Sequence, residues 1–317
     1  MRFLVLLALV FSSGLTAQEW PSRQVHLVVP FSAGGFADSS TRAISERLSA
    51  RLGQPVIIEN RVGASGNIGA EAVAKASPDG HTLLIGFDGA MVINPHVFAK
   101  MPVDTLRDFV PVTKLGDAAV IAAAHPSVPA RDLRELIALA KAKPGTLSYG
   151  TSGTGGTSHL VGEMINQRVG TDFLHIPYKG GAQAVGDAVG GQIPLVFTAI
   201  ASAGQFIRAG KLKALGITST ARVAALPDVP TFIESGLPDF VVNSWIGVFA
   251  PAKTPRPVVQ KLQREISMVL KEPAVRERFG VLGIEPVGNT PEEYAAQVRA
   301  DFALWEGVVK KAKIRIE

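Results

Sequence analysis

Cysteine is absent from all 317 residues. That excludes a disulfide framework, a thiolate metal site and a cysteine nucleophile. It also excludes a lipid-modified N-terminal cysteine, so an exported mature chain is expected to float free. Aromatic residues make up 7% of the chain and charged residues 19%. No run of Lys or Arg interleaves with aromatics, which argues against nucleic acid as a partner. The formal charge of +5 is spread along the sequence; it reads as solubility with some attraction for anions. Long apolar runs are missing too. Ala118–Ala124 is short and ends at His125-Pro126, and nothing later reaches the ~20 residues that span a bilayer.

Several enzyme signatures come close and then fail. A phosphate-binding P-loop needs Lys and then Ser or Thr after its last glycine, but Gly155 is followed by Gly156 and Thr157. A dinucleotide fingerprint from Gly153 would need glycine where Ser158 stands. The stretch Gly63 to Gly69 has Ser65 where the middle glycine belongs. A nucleophile elbow around Ser152 would need glycine at Thr154. There is no His-Glu-x-x-His, and none of the six histidines pairs with another ligand type at metal spacing. No cofactor and no metal is expected, and no catalytic residue is assigned.

What is present begins at the N-terminus. Met1-Arg2 is a positive start, Phe3 to Phe11 is an apolar run, and Ser12, Ser13, Gly14, Thr16 and Ala17 form a small-residue region. This is the layout of a secretory signal peptide over residues 1–17, cleaved near Ala17. Export to the periplasm follows from it.

Beyond Trp20-Pro21 the chain alternates strand and helix. Val25–Pro30, Pro55–Glu59 and Thr82–Phe87 read as strands. Phe36–Leu52, with Ala43, Ile44, Leu48 and Leu52 at helical spacing, reads as a helix stopped by Gly53. Gly66–Ala76 is a second helix. The pattern restarts with helices at Arg131–Ala142, Ser158–Val169 and Ala182–Val189. Strands are expected at Leu147–Thr151, Phe173–Ile176, Ile193–Phe197 and Leu212–Ile217. The last third is helical: Pro257–Leu270, Pro273–Phe279 and Pro291–Lys311, each with Pro at a first helical turn. Short loops between alternating elements indicate an α/β fold with parallel, doubly wound sheets. Ala118–Ala124 and Val241–Ala250 are extended segments that can cross between two lobes. The expected division is 20–122 with 243–317 for lobe 1, and 123–242 for lobe 2.

Two strand-to-helix loops carry the chemistry. The first is Pro30 to Ser40, with Gly34-Gly35 letting backbone approach a ligand closely and a helix start offering free N–H groups to an anion. Asp38 is either a ligand contact or a charge that steadies the first helical turn. The second loop runs from Gly150 to Ser158 and holds five hydroxyl residues and four glycines. It supplies donors without fixed charge, which suits a carboxylate or a phosphate. His159, in the turn after it, either touches ligand or holds the loop. Pro177-Tyr178-Lys179-Gly180-Gly181 is a third such loop, in which Tyr178 can close over a ligand. Asp88 stands at the C-terminal end of a strand, where ligands bind in open sheets. Trp245 reads as packing between lobes.

Taken together, these pieces resemble the Bug-type extracytoplasmic receptors of tripartite tricarboxylate transporters over essentially the whole mature chain. The residues carrying the resemblance are Val28-Val29-Pro30-Phe31 with Gly34-Gly35 and Asp38, Gly53-Gln54-Pro55-Val56, and Glu59-Asn60-Arg61. Ser77-Pro78-Asp79-Gly80 with Thr82-Leu83-Leu84, and Asp108-Phe109 with Pro111-Val112, continue it. The second half adds Ser152-Gly153 with Gly155, His159-Leu160, Pro177-Tyr178-Lys179-Gly180, Leu226-Pro227-Asp228-Val229-Pro230-Thr231, Trp245 with Gly247, and Ala250-Pro251-Ala252. Single pieces are weak; the ordered set is specific.

The resemblance implies a two-lobed periplasmic-binding-protein fold with a hinged cleft that closes on a small carboxylate; the two crossing segments read above are the expected hinge, and a monomer is expected. It implies Phe31, Ser32, Ala33, Gly34, Gly35 and Asp38 on one wall and Ser152, Gly153, Thr154 and Thr157 on the other. The membrane subunits of a tripartite transporter, or a membrane sensor kinase, are the implied partners. One departure stands out. Relatives often carry an acid just after the Phe of the strand matching Ile193–Phe197, and here that position is Thr198. An exported hydrolase using Ser152 with His159 is the alternative reading.

Overall fold

A computed structural model of the protein describes residues 20–312. The signal-peptide expectation, Met1 to Ala17, lies outside the described residues. The elements run β1 (Val25–Val29), α1 (Phe36–Leu52), β2 (Val56–Asn60), α2 (Asn67–Ala74) and β3 (Thr82–Phe87). A π-helical turn, Gly89–Ile93, leads into α3 (Asn94–Val97) and α4 (Thr105–Asp108). Then come β4 (Phe109–Ala124), α5 (Leu133–Ala142), β5 (Ser148–Thr151), α6 (Thr157–Val169), β6 (Leu174–Pro177) and α7 (Gly181–Val189). The chain continues through β7 (Leu195–Ala199), α8 (Ile200–Arg208), β8 (Lys213–Ile217) and β9 (Asn243–Pro251). It ends with α9 (Arg256–Leu270), α10 (Pro273–Val281), β10 (Ile284–Pro286) and α11 (Pro291–Ala312).

Local chemistry explains the first βαβ unit. In β1 every side chain but His26 is buried, so the strand is apolar throughout rather than alternating. In α1, Ile44, Leu48 and Leu52 repeat every four residues and are buried on one face. Gly53 closes the helix at φ 67°, a left-handed value that favours glycine.

The strands form one continuous curled sheet in the order β2-β1-β3-β9-β4-β7-β5-β6, with β8 and β10 also paired to β4. The pairings β1–β2, β1–β3, β5–β6 and β5–β7 are parallel, as alternating elements require. The centre is antiparallel: β9 runs against β3 and β4, and β4 runs against β7, β8 and β10. The sheet is therefore mixed, because two long central strands enter it from the opposite direction. Helices cover both faces, and the buried apolar residues form three clusters, one spanning both halves and one mainly in each half.

Strand β4 serves both halves. Residues Phe109 to Ala119 pair with β9, and Val120 to Ala124 pair with β7. The other expected crossing segment behaves differently. From Asn243 onward it is β9, wholly within the first half, so that crossing is confined to the residues just before it. Thr218, fully buried, ties the two passages together. Its Oγ1 accepts from Val120 N at 2.9 Å and donates to Val242 O at 2.5 Å. Trp245 does not bridge the halves. Its indole N–H donates to Asp301 of α11 at 2.8 Å, and its ring stands edge-on to Tyr294.

Candidate ligand-binding site

Four helices begin at one place. Gly35 just before α1 with Phe36 and Ala37 in it, Ser158 of α6, Gly181 of α7, and Ala199 just before α8 with Ser202 in it all line the same inner cavity. The residues preceding these helices are Gly35, Gly156, Gly180 and Ala199, and none supplies a side-chain cap. By contrast, Asp104 and Asp132 cap α4 and α5 with their carboxylates. Uncapped first-turn N–H groups need another partner, and the helix dipole makes an anion the favoured one.

Phe31 and Phe87 meet edge to face at 4.9 Å and, with Phe36, Ala37, Val120 and Ala199, form the apolar part of the cavity. The polar part is Ser152, Ser158, Thr198, Ser202 and Ser244. No Asp, Glu, Lys or Arg lines it. It is narrow, with a volume of ≈ 40 Å³, and is partly open to solvent. A second cavity lies at the mouth and shares Phe31 and Ser152 with the inner one. It is lined by Gly63 to Gly66 on one side, and by Gly153, Thr154, Tyr178 and Lys179 on the other.

The halves lie close together around these cavities. A methyl group on Gly153 would come within 2.9 Å of Ser65 Oγ. One on Gly180 would meet Ser32 Oγ at 2.0 Å. Glycine at both positions lets loops from opposite halves touch through backbone.

Of the residues singled out from sequence, Phe31, Gly35, Ser152 and Thr198 line the inner cavity, and Gly153, Thr154 and Tyr178 line the mouth. Ser32 Oγ is buried without a partner. Ala33 and Gly34 sit, with Asp38, in an outward depression beside Arg42 and Arg278.

Four of the candidates stand behind the wall and hold it. Asp38 is 2% exposed. It accepts from Gly34 N at 2.9 Å, Arg42 Nε at 2.8 Å and Asn60 Nδ2 at 3.1 Å. Burial pushes its carboxyl up, but these hydrogen bonds outweigh burial and hold it below the usual carboxylate value. Asp88 accepts from Ser244 Oγ at 2.8 Å and Gly89 N at 2.7 Å, and from the hydroxyl of Thr157. Burial dominates there and raises its carboxyl to about 7.

His159 is the fourth of these. Its Nδ1 accepts from Gly155 N at 3.0 Å, and its ring stacks on His175 at 3.8 Å. His175 Nε2 lies 2.7 Å from Thr151 Oγ1, which donates to Gly153 O at 2.8 Å. Burial lowers His159 to about 4; burial and the neighbouring His159 lower His175 to about 3. The histidine pair thus fixes both ends of the Thr151–Gly155 turn.

Sequence reasoning missed Ser65, Phe87, Ser202 and Ser244, and with Ser202 the whole of α8. A signal was available: Ile200-Ala201-Ser202-Ala203 directly follows a strand, as the other site helices nearly do. Among the described residues no group of three His, Asp or Glu side chains could hold a metal ion, and no helix is long and apolar enough to cross a membrane.

An α/β sheet curled around a central cleft, with uncapped helix starts facing the gap, defines a two-lobed solute-binding protein. Comparisons with known proteins narrow this. The profile of the tripartite tricarboxylate transporter family receptor (TctC) matches residues 40–314. Protein BugT of Bordetella pertussis is 34% identical over 96% of this chain and 93% of its own length. The structure of periplasmic binding protein BugD aligns with a TM-score of 0.90 at 36% identity, covering 94% of this chain and all of BugD. R. palustris Rpa4515 with adipate gives 0.91 at 35% identity over 94% of this chain and 99% of that one. MatC from Rhodopseudomonas palustris with bound malate gives 0.86 at 36% identity over 92% and 100%. The chain belongs to the tripartite tricarboxylate transporter receptor family, and the two-lobed fold expected from its sequence is the one it has.

Proposed function

We propose that this protein is a periplasmic receptor that captures a small carboxylate between its two lobes and delivers it to the membrane subunits of a tripartite transporter. The observation that carries this reading is the convergence of four uncapped helix starts on one cavity without charged side chains. Such a seat holds an anion through backbone N–H groups and hydroxyls. Adipate in one relative's structure and malate in another's support a carboxylate. The handover of β4 between Ala119 and Val120, and the tie from Thr218 to Val242, support lobe boundaries near those residues.

The protein acts by binding rather than catalysis. His159 spends Nδ1 on Gly155 N and its face on His175, which supports a structural role over that of a general base. Export follows from the leader-like first 17 residues. Native mass spectrometry of protein purified without added ligand, followed by a thermal-shift screen of carboxylates, tests the reading. A bound or stabilising carboxylate is expected; turnover of an ester substrate, with no carboxylate bound, would overturn it.

A further inference from the structure

We infer that the inner cavity takes a carboxylate bearing no ammonium group beside it, and that Ser202 is a specificity-determining contact for that ligand. The inference rests on the receptor reading above. Ser202 lies in the first turn of α8, is 3% exposed and lines the inner cavity. Its Oγ has no hydrogen-bond partner. A buried hydroxyl left unpaired is unfavourable, so it is expected where a ligand completes it.

Gly181 keeps that hydroxyl accessible. A methyl group there would stand 2.9 Å from Ser202 Oγ and 2.8 Å from Thr198 Oγ1. The two hydroxyls therefore flank the start of α7 and face the same space.

The charge distribution sets the ligand class. The inner cavity has no lining carboxylate to pair with an ammonium group. The two buried acids behind its walls are occupied: Asp88 by Thr157, Ser244 and Gly89 N, and Asp38 by Arg42, Asn60 and Gly34 N. Four helix N-termini aim the positive ends of their dipoles inward. That field favours an anion and opposes a cation placed beside it. A 2-amino acid thus loses water around its ammonium and gains no acid in return.

The test is calorimetry on matched pairs sharing a carbon skeleton: succinate and aspartate, glutarate and glutamate, adipate and 2-aminoadipate, propionate and alanine. At least one carboxylate is expected to bind with its amino counterpart weaker by about tenfold or more. Ser202→Ala should weaken that carboxylate by roughly ten- to a hundredfold. The same variant without ligand should melt at or above wild type, since it removes an unpaired buried hydroxyl. Equal or tighter binding of the amino counterpart would overturn the inference while leaving the receptor reading intact. So would unchanged affinity in Ser202→Ala. Binding by no member of any pair would remove the receptor reading itself.

Discussion

The hydroxyl of Thr157, on α6, donates to the carboxylate of Asp88, at the end of β3 in the other half of the sheet. Both side chains are buried, at 1% exposure each. The bond joins the two halves in this arrangement. Thr157→Val keeps the shape and removes the donor. The closed form should weaken, with ligand affinity falling about tenfold and small-angle scattering showing a more expanded average.

Asp88 also makes a pH prediction. Its carboxyl is raised to about 7 by burial, against roughly 3.9 in an unfolded chain. Between those values the folded protein holds a proton that the unfolded chain has released. Stability therefore falls as pH rises through that window, by up to a few kcal/mol from this group. Asp88→Asn should flatten that part of the profile. Denaturant melts of both proteins at pH 5 and pH 8 decide it; an identical pH dependence in wild type and variant sinks the idea.

The stacked histidines titrate in the opposite sense. His159 is lowered to about 4 and His175 to about 3, whereas an unfolded histidine takes its proton near 6.5. Over the interval between, the unfolded chain binds more protons, so stability rises with pH and is lost on acidification. Thr151 Oγ1 spends its proton on Gly153 O, so His175 Nε2 is the donor to it. A proton on His159 Nδ1 would break its bond from Gly155 N. Binding is thus expected to weaken together with stability below about pH 4–5. His175→Phe should lose less stability between pH 7 and pH 4.5 than wild type does, although it starts lower.

Much of this fold was legible in the sequence because its strands and helices carry strong periodic signals and glycine stops. The helix Phe36–Leu52 and the strand Thr82–Phe87 have the bounds their patterns indicated. The antiparallel centre was not legible, since a strand's direction depends on where a distant segment enters the sheet. Phe109–Gly116 escaped because Pro111 and Gly116 interrupt it, and the structure accommodates both with register shifts against β9. Helix α8 escaped because its first turn is Ile-Ala-Ser-Ala, without a capping residue, and an uncapped start reads as loop. That omission hid Ser202. The glycine-rich loops were found, but their composition could not separate side chains that face the cavity, such as Ser152, from those that brace it, such as Thr157 and His159.

Gly181→Ala tests whether the ligand occupies the inner cavity. Gly181 opens α7, where alanine is favoured by helix propensity, so the cost of the substitution comes from what its methyl meets. The added methyl would stand 2.8 Å from Thr198 Oγ1 and 2.9 Å from Ser202 Oγ, inside the inner cavity. Ligand affinity should drop more than about tenfold, while the ligand-free melting temperature changes only as far as the Thr198 and Ser202 hydroxyls must turn aside. A variant that binds normally would place the ligand elsewhere in the cleft.

The nature of the grip can be read from salt. Arg is the usual strong partner of a carboxylate, through paired hydrogen bonds. No Arg or Lys lines the inner cavity. Lys179 is the one charged side chain at the mouth, and it is exposed. If helix starts and hydroxyls hold the ligand, each hydroxyl bond to the anion contributes about 1.5–3 kcal/mol. Ser152→Ala should then weaken binding roughly ten- to a hundredfold, because Ser152 lines both cavities. Lys179→Ala should cost little, since an exposed charge is screened. Affinity for the wild type should fall only mildly between low and moderate salt, the dipoles of a buried seat being poorly screened. Calorimetry on both variants at two salt concentrations distinguishes the two grips. If Lys179→Ala loses most of the affinity, and the salt dependence goes with it, a lysine at the mouth holds the ligand and the uncharged seat does not.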